Sequence, residues 1–215
     1  MNFVGHIATG LRLDNGLDGP GFLVGTALPD FAGMGRVRLT RAAGSLGGGV
    51  ALHHATDHAF HADEWFLELE AELRTTLRAG GLPDGAARAC AHVGPELLLD
   101  GALFDDSAVA RGVNAVYEQI ATPGAEIIDL TTADERHRWS THLSGIAEHL
   151  DPCAYRDPAT VARRLHRITA RRPRLAFGDA LVDTVALHMS AVQPRIASSA
   201  VNVLDRVAGA LAVTN

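Results

Sequence analysis

The chain has 215 residues, 47% of them hydrophobic and 20% charged, with a formal charge of −6 at pH 7. That is the balance of a globular protein long enough to bury a core without staples, and the negative charge argues against nucleic acid as its main partner. Cys90 and Cys153 make neither a CxxC site nor a disulfide framework. No stretch nears the roughly 18 uninterrupted apolar residues of a membrane span, and Met-Asn-Phe-Val-Gly-His lacks the regions of a signal peptide. The expectation is a cytoplasmic protein with no membrane partner.

Residues 1–13 are mildly apolar and carry His6 on a short first helix, and Asp14 to Gly21 reads as a loop by composition. Gly25 to Gly33 is an apolar segment interrupted by Asp30, a carboxylate that is costly to bury unless paired or metal-bound. Taken alone, Asp30 reads equally as a turn residue or a helix cap. Arg36 to Gly49 is Gly-rich and basic, which predicts a loop or a frayed helix end. From Val50 onward the periodicity is helical. Trp65, Phe66, Leu69, Leu73 and Leu77 recur at helical spacing until Gly80-Gly81-Leu82-Pro83 stops them.

Asp84 can cap the next helix, which runs to about Leu103 with a kink expected at Pro95. Asp105-Asp106-Ser107 opens another to about Ile120, and Ala121 to Ile127 is a connection. Thr132 or Asp134 starts a helix to Leu150, and Asp151-Pro152 breaks it. Asp157-Pro158 reads as an N-cap followed by Pro at the first helical position. A final helix over Asp179 to Leu211 is expected to bend or break at Pro194. No strand and no internal repeat is read. The fold class predicted is all-α, a single-domain multi-helix bundle of about seven to nine helices spanning 1–215.

The candidate chemistry centres on residues 49–61, which hold four of the 11 histidines and Asp57. On a helix His53 and Asp57 share a face, and His54, His58 and His61 share the neighbouring one. A second pair at the same spacing is His92 and Glu96. With His6 and Asp30 these form a mixed imidazole and carboxylate set, suited to Mn²⁺, Fe²⁺, Zn²⁺ or Mg²⁺ and lacking the thiolates of structural zinc sites. Any one such histidine alone reads first as a hydrogen-bonded structural residue, and it is the six together that point to metal. The helix that Asp157-Pro158 opens is expected to carry Arg163, Arg164, Arg167, Arg171 and Arg172, then Pro173 and Arg174, a concentration of positive charge on an acidic protein. Such a patch can be a solvated face, or it can steer an acidic partner or grip phosphate.

Several motifs together resemble the acyl carrier protein phosphodiesterases. Met-Asn-Phe-Val-Gly-His is similar to that family's opening, and Gly25 to Gly33 resembles its Gly-Asn-Leu-Leu-Ala-Asp-Phe segment, with Asp30 on the aspartate. Gly49-Val50 followed by His53 and Asp57 resembles Gly-Ile-x-x-His-x-x-x-Asp. Tyr155-Arg156-Asp157 and Arg171-Arg172-Pro173-Arg174-Leu175 resemble a further pair of motifs. The resemblance implies an all-helical fold distantly like the HD phosphohydrolases and a divalent ion, Mn²⁺ first. It further implies hydrolysis of the phosphodiester that joins 4′-phosphopantetheine to a serine of an acidic acyl carrier protein. It makes His6, Asp30, His53 and Asp57 metal-site candidates and gives the arginines a partner. The chain departs from the pattern at Ala51, at His61, and at His92-x-x-x-Glu96-Leu97, where the family has His, Asp and Asp-x-x-x-Asp-His.

The expectation is therefore a metal-dependent phosphodiesterase with His6, Asp30, His53, Asp57, His92 and Glu96 as ligands. Asp30, His58 and His61 are the candidates for proton transfer, and Arg163, Arg167, Arg171, Arg172 and Arg174 for binding partner or phosphate. The rivals are an HD-like hydrolase of a nucleotide or other small phosphoester, a non-hydrolytic helical metal protein, and a purely structural helical partner. A ferritin-like site needs Glu-x-x-His, which does not occur near these clusters.

Overall fold

The computed structural model describes residues 1–13, 21–39, 43–121 and 133–212. Of the loop expected over Asp14 to Gly21, residues 14–20 lie outside the described residues, as do residues 122–127 of the connection expected over Ala121 to Ile127, and Thr132; Gly21 and Ala121 are helical. Among the described residues the fold is all-α, as expected, with no strand. The α-helices are α1 (Phe3–Leu13), α2 (Gly21–Gly35), α3 (Gly44–His61), α4 (Glu64–Ala79), α5 (Asp84–Leu103), α6 (Ser107–Ala121), α7 (Ala133–His149), α8 (Pro158–Ala170) and α9 (Val182–Ala212). Single 3₁₀ turns stand at Pro152–Arg156 and Asp179–Leu181. No helix among the described residues is long and apolar enough to cross a membrane.

Packing groups the chain into two units. The first comprises Met1–Ala59, Asp105–Asp151 and Val207–Asn215. In it α1 packs on α2 and α6, and α6 on α7. Helix α1 is buried all round from Phe3 to Gly10, and its two polar side chains there, His6 and Thr9, are hydrogen-bonded to the Met1 and Gly5 carbonyls. Helix α6 instead buries one stripe, Val109, Val113, Val116 and Ile120, and Asp106 caps it by accepting from the Ala108 amide at 2.7 Å. The carboxyl end of α2 is tied to α7 by His142, whose Nε2–H donates to the Phe31 carbonyl at 2.9 Å.

The second unit comprises Phe60–Phe104 and Pro152–Arg206. Helix α5 is its centre, packed against α4, α8 and the 3₁₀ turn at Pro152–Arg156. Helix α4 buries Phe66, Leu69, Leu73 and Leu77, the i, i+3, i+7 and i+11 positions of one face. Asp157 caps α8 as expected, its carboxylate accepting from the amides of Ala159 and Thr160.

Four local expectations change. Helix α3 begins at Gly44, within the stretch expected to be a loop or a frayed helix end, because Gly49 is needed in close packing against α2 and tertiary contact overrides the low helix propensity of glycine. Asp84 is the first helical residue and not the cap, and its carboxylate pairs with Arg74 and Arg78. Helix α9 is continuous through Pro194, so the alternative of a break does not occur, since one lost hydrogen bond is offset by packing on either side, while α5 continues through Pro95 to Leu103 as expected. Helix α8 ends at Ala170, so Arg171 is its C-cap and Arg172 to Arg174 lie in the turn that follows, not on a continued helical face.

Candidate metal centre

Three helices of the first unit each bring one donor to the same place. Helix α1 supplies His6, α2 supplies Asp30 and α3 supplies His53, with one ligand atom from each lying within 4.8 Å of the others. Asp30 is thus neither a turn residue nor a cap: it sits inside α2, directly after Pro29. His6 is fully buried and His53 nearly so, and their rings approach to 3.8 Å between centroids.

Backbone carbonyls set the protonation of both rings. Nε2–H of His6 donates to the Met1 carbonyl at 2.9 Å, and Nδ1–H of His53 donates to the Thr26 carbonyl at 2.8 Å. A carbonyl only accepts, so those nitrogens carry the hydrogens, and in the neutral ring it is the other nitrogen that holds the lone pair. Burial then pushes the His53 pKa down to about 4, against the opposing hydrogen bond to Thr26 and the charge of Asp57. The imidazole is neutral at pH 7, which is the form that binds a cation. Asp57 borders the group: Oδ1 accepts from the Met1 nitrogen at 2.9 Å and lies 3.8 Å from Nε2 of His6, and its side chain is 40% exposed.

Two imidazoles and a carboxylate, each imidazole oriented by a carbonyl, fit a divalent ion such as Mn²⁺, Fe²⁺ or Zn²⁺. Metal bonds of about 2.0–2.2 Å place neighbouring donors up to about 4.4 Å apart, so a small side-chain adjustment closes the group around one ion.

The second unit holds another donor group, His61, His92 and Glu96, again with ligand atoms within 4.8 Å of one another. His61 Nε2–H donates to Glu96 Oε1 at 3.0 Å, and His92 Nδ1–H donates to Glu70 Oε1 at 3.2 Å. Burial works against the charge on Glu96, yet nearby positive charge and the His61 hydrogen bond hold its carboxyl below the usual range.

The six expected ligands therefore fall in two groups. His6, Asp30 and His53 come together with Asp57 beside them, while His92 and Glu96 are joined by His61. The neighbouring face expected for His54, His58 and His61 divides: His54 and His58 are exposed and His61 is half-buried against Glu96. His58 joins neither group. Arg163 is tied to Asp157 and Thr160, whereas Arg167, Arg171, Arg172 and Arg174 are exposed and make no ion pair among the described residues. Sequence reasoning passes over Glu70, the Thr26 carbonyl and Asp100. Asp100 is fully buried one turn beyond Glu96, and the i+4 stripe His92, Glu96, Asp100 was the signal for it.

Fold and donors define a class: an all-α protein with two groups of histidine and carboxylate at metal-ligand spacing among its described residues. No protein-family model, curated protein or solved structure matches the chain.

Proposed function

We propose that this protein is a metal-dependent phosphodiesterase of the acyl carrier protein phosphodiesterase type, acting in the cytoplasm to release 4′-phosphopantetheine from the serine of a holo-carrier protein. The observation that carries the reading is the convergence of His6, Asp30 and His53 from three helices, with both ring tautomers set by carbonyls. The motifs that carry the resemblance include all three residues. His6, Asp30 and His53 would hold the ion. Once bound, it would neutralise charge on a phosphoryl oxygen and acidify a water.

The chain's own residues then have these parts. His53 stays neutral through burial and stays oriented through Thr26. Asp30 brings the negative charge that balances the cation from within an otherwise apolar helix. Asp57, beside His6 and open to solvent, would accept the proton of the attacking water. The oxygen of that water bonds to phosphorus, the bond from phosphorus to the serine oxygen breaks, and the serine oxygen takes up a proton. The exposed cations of Arg167, Arg171, Arg172 and Arg174 suit an acidic protein substrate better than a small phosphoester.

The test is hydrolysis of holo-carrier protein with Mn²⁺, read as the mass lost from the carrier, beside a small chromogenic phosphodiester. The expected result is carrier cleavage that Asp30→Asn and His53→Ala both abolish. Cleavage of the small ester alone would replace the substrate with a small phosphoester. Metal uptake with no cleavage of either would leave a metal-binding protein and sink the hydrolase reading.

A further inference from the structure

We infer that His61, His92 and Glu96 form a binding site of their own for a divalent transition ion, Zn²⁺ first, with Glu70 as the carboxylate that orients His92. This goes beyond the hydrolase reading and does not depend on it.

Nε2 of His61 and Nε2 of His92 both face Glu96 Oε1, the first at 3.0 Å, and an ion bound among the three would take the place of the hydrogen that His61 shares with Glu96. Nε2 of His92 lies 3.7 Å from Glu96 Oε1. That is beyond hydrogen-bond range and inside the separation of two ligands on one cation. The rings of His61 and His92 stack at 4.8 Å between centroids with 11° between planes.

The supporting groups point the same way. Nδ1–H of His92 is committed to Glu70 at 3.2 Å, which leaves Nε2 as the nitrogen turned towards Glu96. A carboxylate behind a histidine in this manner fixes the ring and raises its basicity as a ligand. Phe66 meets both rings at near-perpendicular angles, 5.4 Å from His61 and 5.6 Å from His92, and so limits their rotation. Glu96 is almost buried, but His61 and His92 are 30% and 40% exposed, which gives an ion and a water a way in.

The donor types choose the ion. Two imidazoles with one carboxylate leave a fourth position for water and suit Zn²⁺ or Co²⁺, whereas Mg²⁺ demands oxygen ligands.

The experiment counts ions on the intact, chelator-stripped protein by calorimetry with Zn²⁺ and by the visible absorption of Co²⁺. His92→Ala is expected to remove one equivalent from whatever total the parent binds. Glu70→Gln is expected to raise Kd for that equivalent by about 10- to 100-fold, and a large excess of Mg²⁺ should leave it bound. His92 and Glu70 are both partly exposed, so these variants keep the fold, which far-UV circular dichroism checks. An unchanged number of equivalents in His92→Ala, or an unchanged Kd in both variants, overturns the proposal. The hydrolase reading is judged separately, by the activity of Asp30→Asn.

Discussion

Gly25 of α2 and Gly49 of α3 meet with no side chain between them. A Cβ on Gly49 would stand 2.8 Å from the Gly25 Cα and 2.1 Å from the Phe22 carbonyl oxygen. One turn beyond Gly49 is His53, and the residue after Gly25 is Thr26, so this contact lets the His53 ring reach the Thr26 carbonyl. Any side chain at either glycine pushes the helices apart and breaks that hydrogen bond.

Gly49→Ala should therefore destabilise the protein by about 1–3 kcal/mol through overpacking, in spite of alanine's better helix propensity. It should also weaken metal uptake at the His6, Asp30 and His53 group. Gly145→Ala in α7, where a Cβ would meet nothing within 4 Å, should instead add about 0.5–1 kcal/mol. Urea midpoints of the two variants moving in the same direction would disprove the close approach.

Much of this was legible locally. The stripe Phe66, Leu69, Leu73, Leu77 and the Asp157-Pro158 cap are patterns within one helix, and both stand where the periodicity puts them. The start of α3 was not legible, because the reason for helix there is Gly49 against Gly25, a contact between segments far apart in sequence. The same limit applies to the site. Spacing put His53 and Asp57 on one face, but Thr26 and Asp30, which complete His53's surroundings, come from another helix. Glu70 carries no signal of its own until α4 packs on α5. Imidazoles crowded into residues 49–61 could not be sorted into buried His53, half-buried His61 and exposed His54 and His58 by spacing alone.

Acid should unfold the protein through His53. Its folded pKa, about 4, lies below the ordinary value of 6.5. Above that ordinary value the ring is neutral in both states and contributes no pH dependence. As pH falls from there towards the folded value, the unfolded chain takes a proton that the folded chain refuses, so stability falls, by up to about 3 kcal/mol in all. Metal-free protein unfolded in urea at pH 7 and again near pH 5 should show this loss. His53→Gln should show a smaller loss across the same interval. Equal slopes for parent and variant would mean that the ring is not held neutral by burial.

The second unit has a matching test with the opposite kind of group. Arg206 donates to both carboxylate oxygens of Asp63, at 2.7 and 2.9 Å, and this hydrogen bonding with the guanidinium charge holds the Asp63 carboxyl below its usual pKa despite partial burial. A depressed carboxylate contributes stability above its unfolded pKa and loses it as pH falls through the folded value. A double-mutant cycle with Asp63→Asn and Arg206→Gln should give a coupling of about 1 kcal/mol at pH 7, because the pair is bidentate although Arg206 is half exposed. That coupling should fade below about pH 4. A coupling that persists unchanged into acid would contradict the ion pair.

The arginines that follow α8 offer the sharpest separation of substrate classes. Their turn is pinned by backbone: a Cβ on Gly85 would lie 2.2 Å from the Arg174 carbonyl oxygen, so the start of α5 and this turn touch directly. Arg171, Arg172 and Arg174 therefore project from a fixed platform, exposed and free of ion pairs among the described residues. An acidic carrier protein would meet that charge on approach, while a small phosphodiester would not need it. Arg171→Ala and Arg174→Ala should each raise KM for holo-carrier protein by about three- to tenfold, with kcat little changed, and added salt should erase the difference. Turnover of a small phosphodiester should be the same in both variants and the parent. If both substrates lose turnover equally, the arginines act on the phosphate itself and not on the carrier's surface. If neither changes, the patch is a solvated face and the carrier-protein assignment loses its electrostatic support.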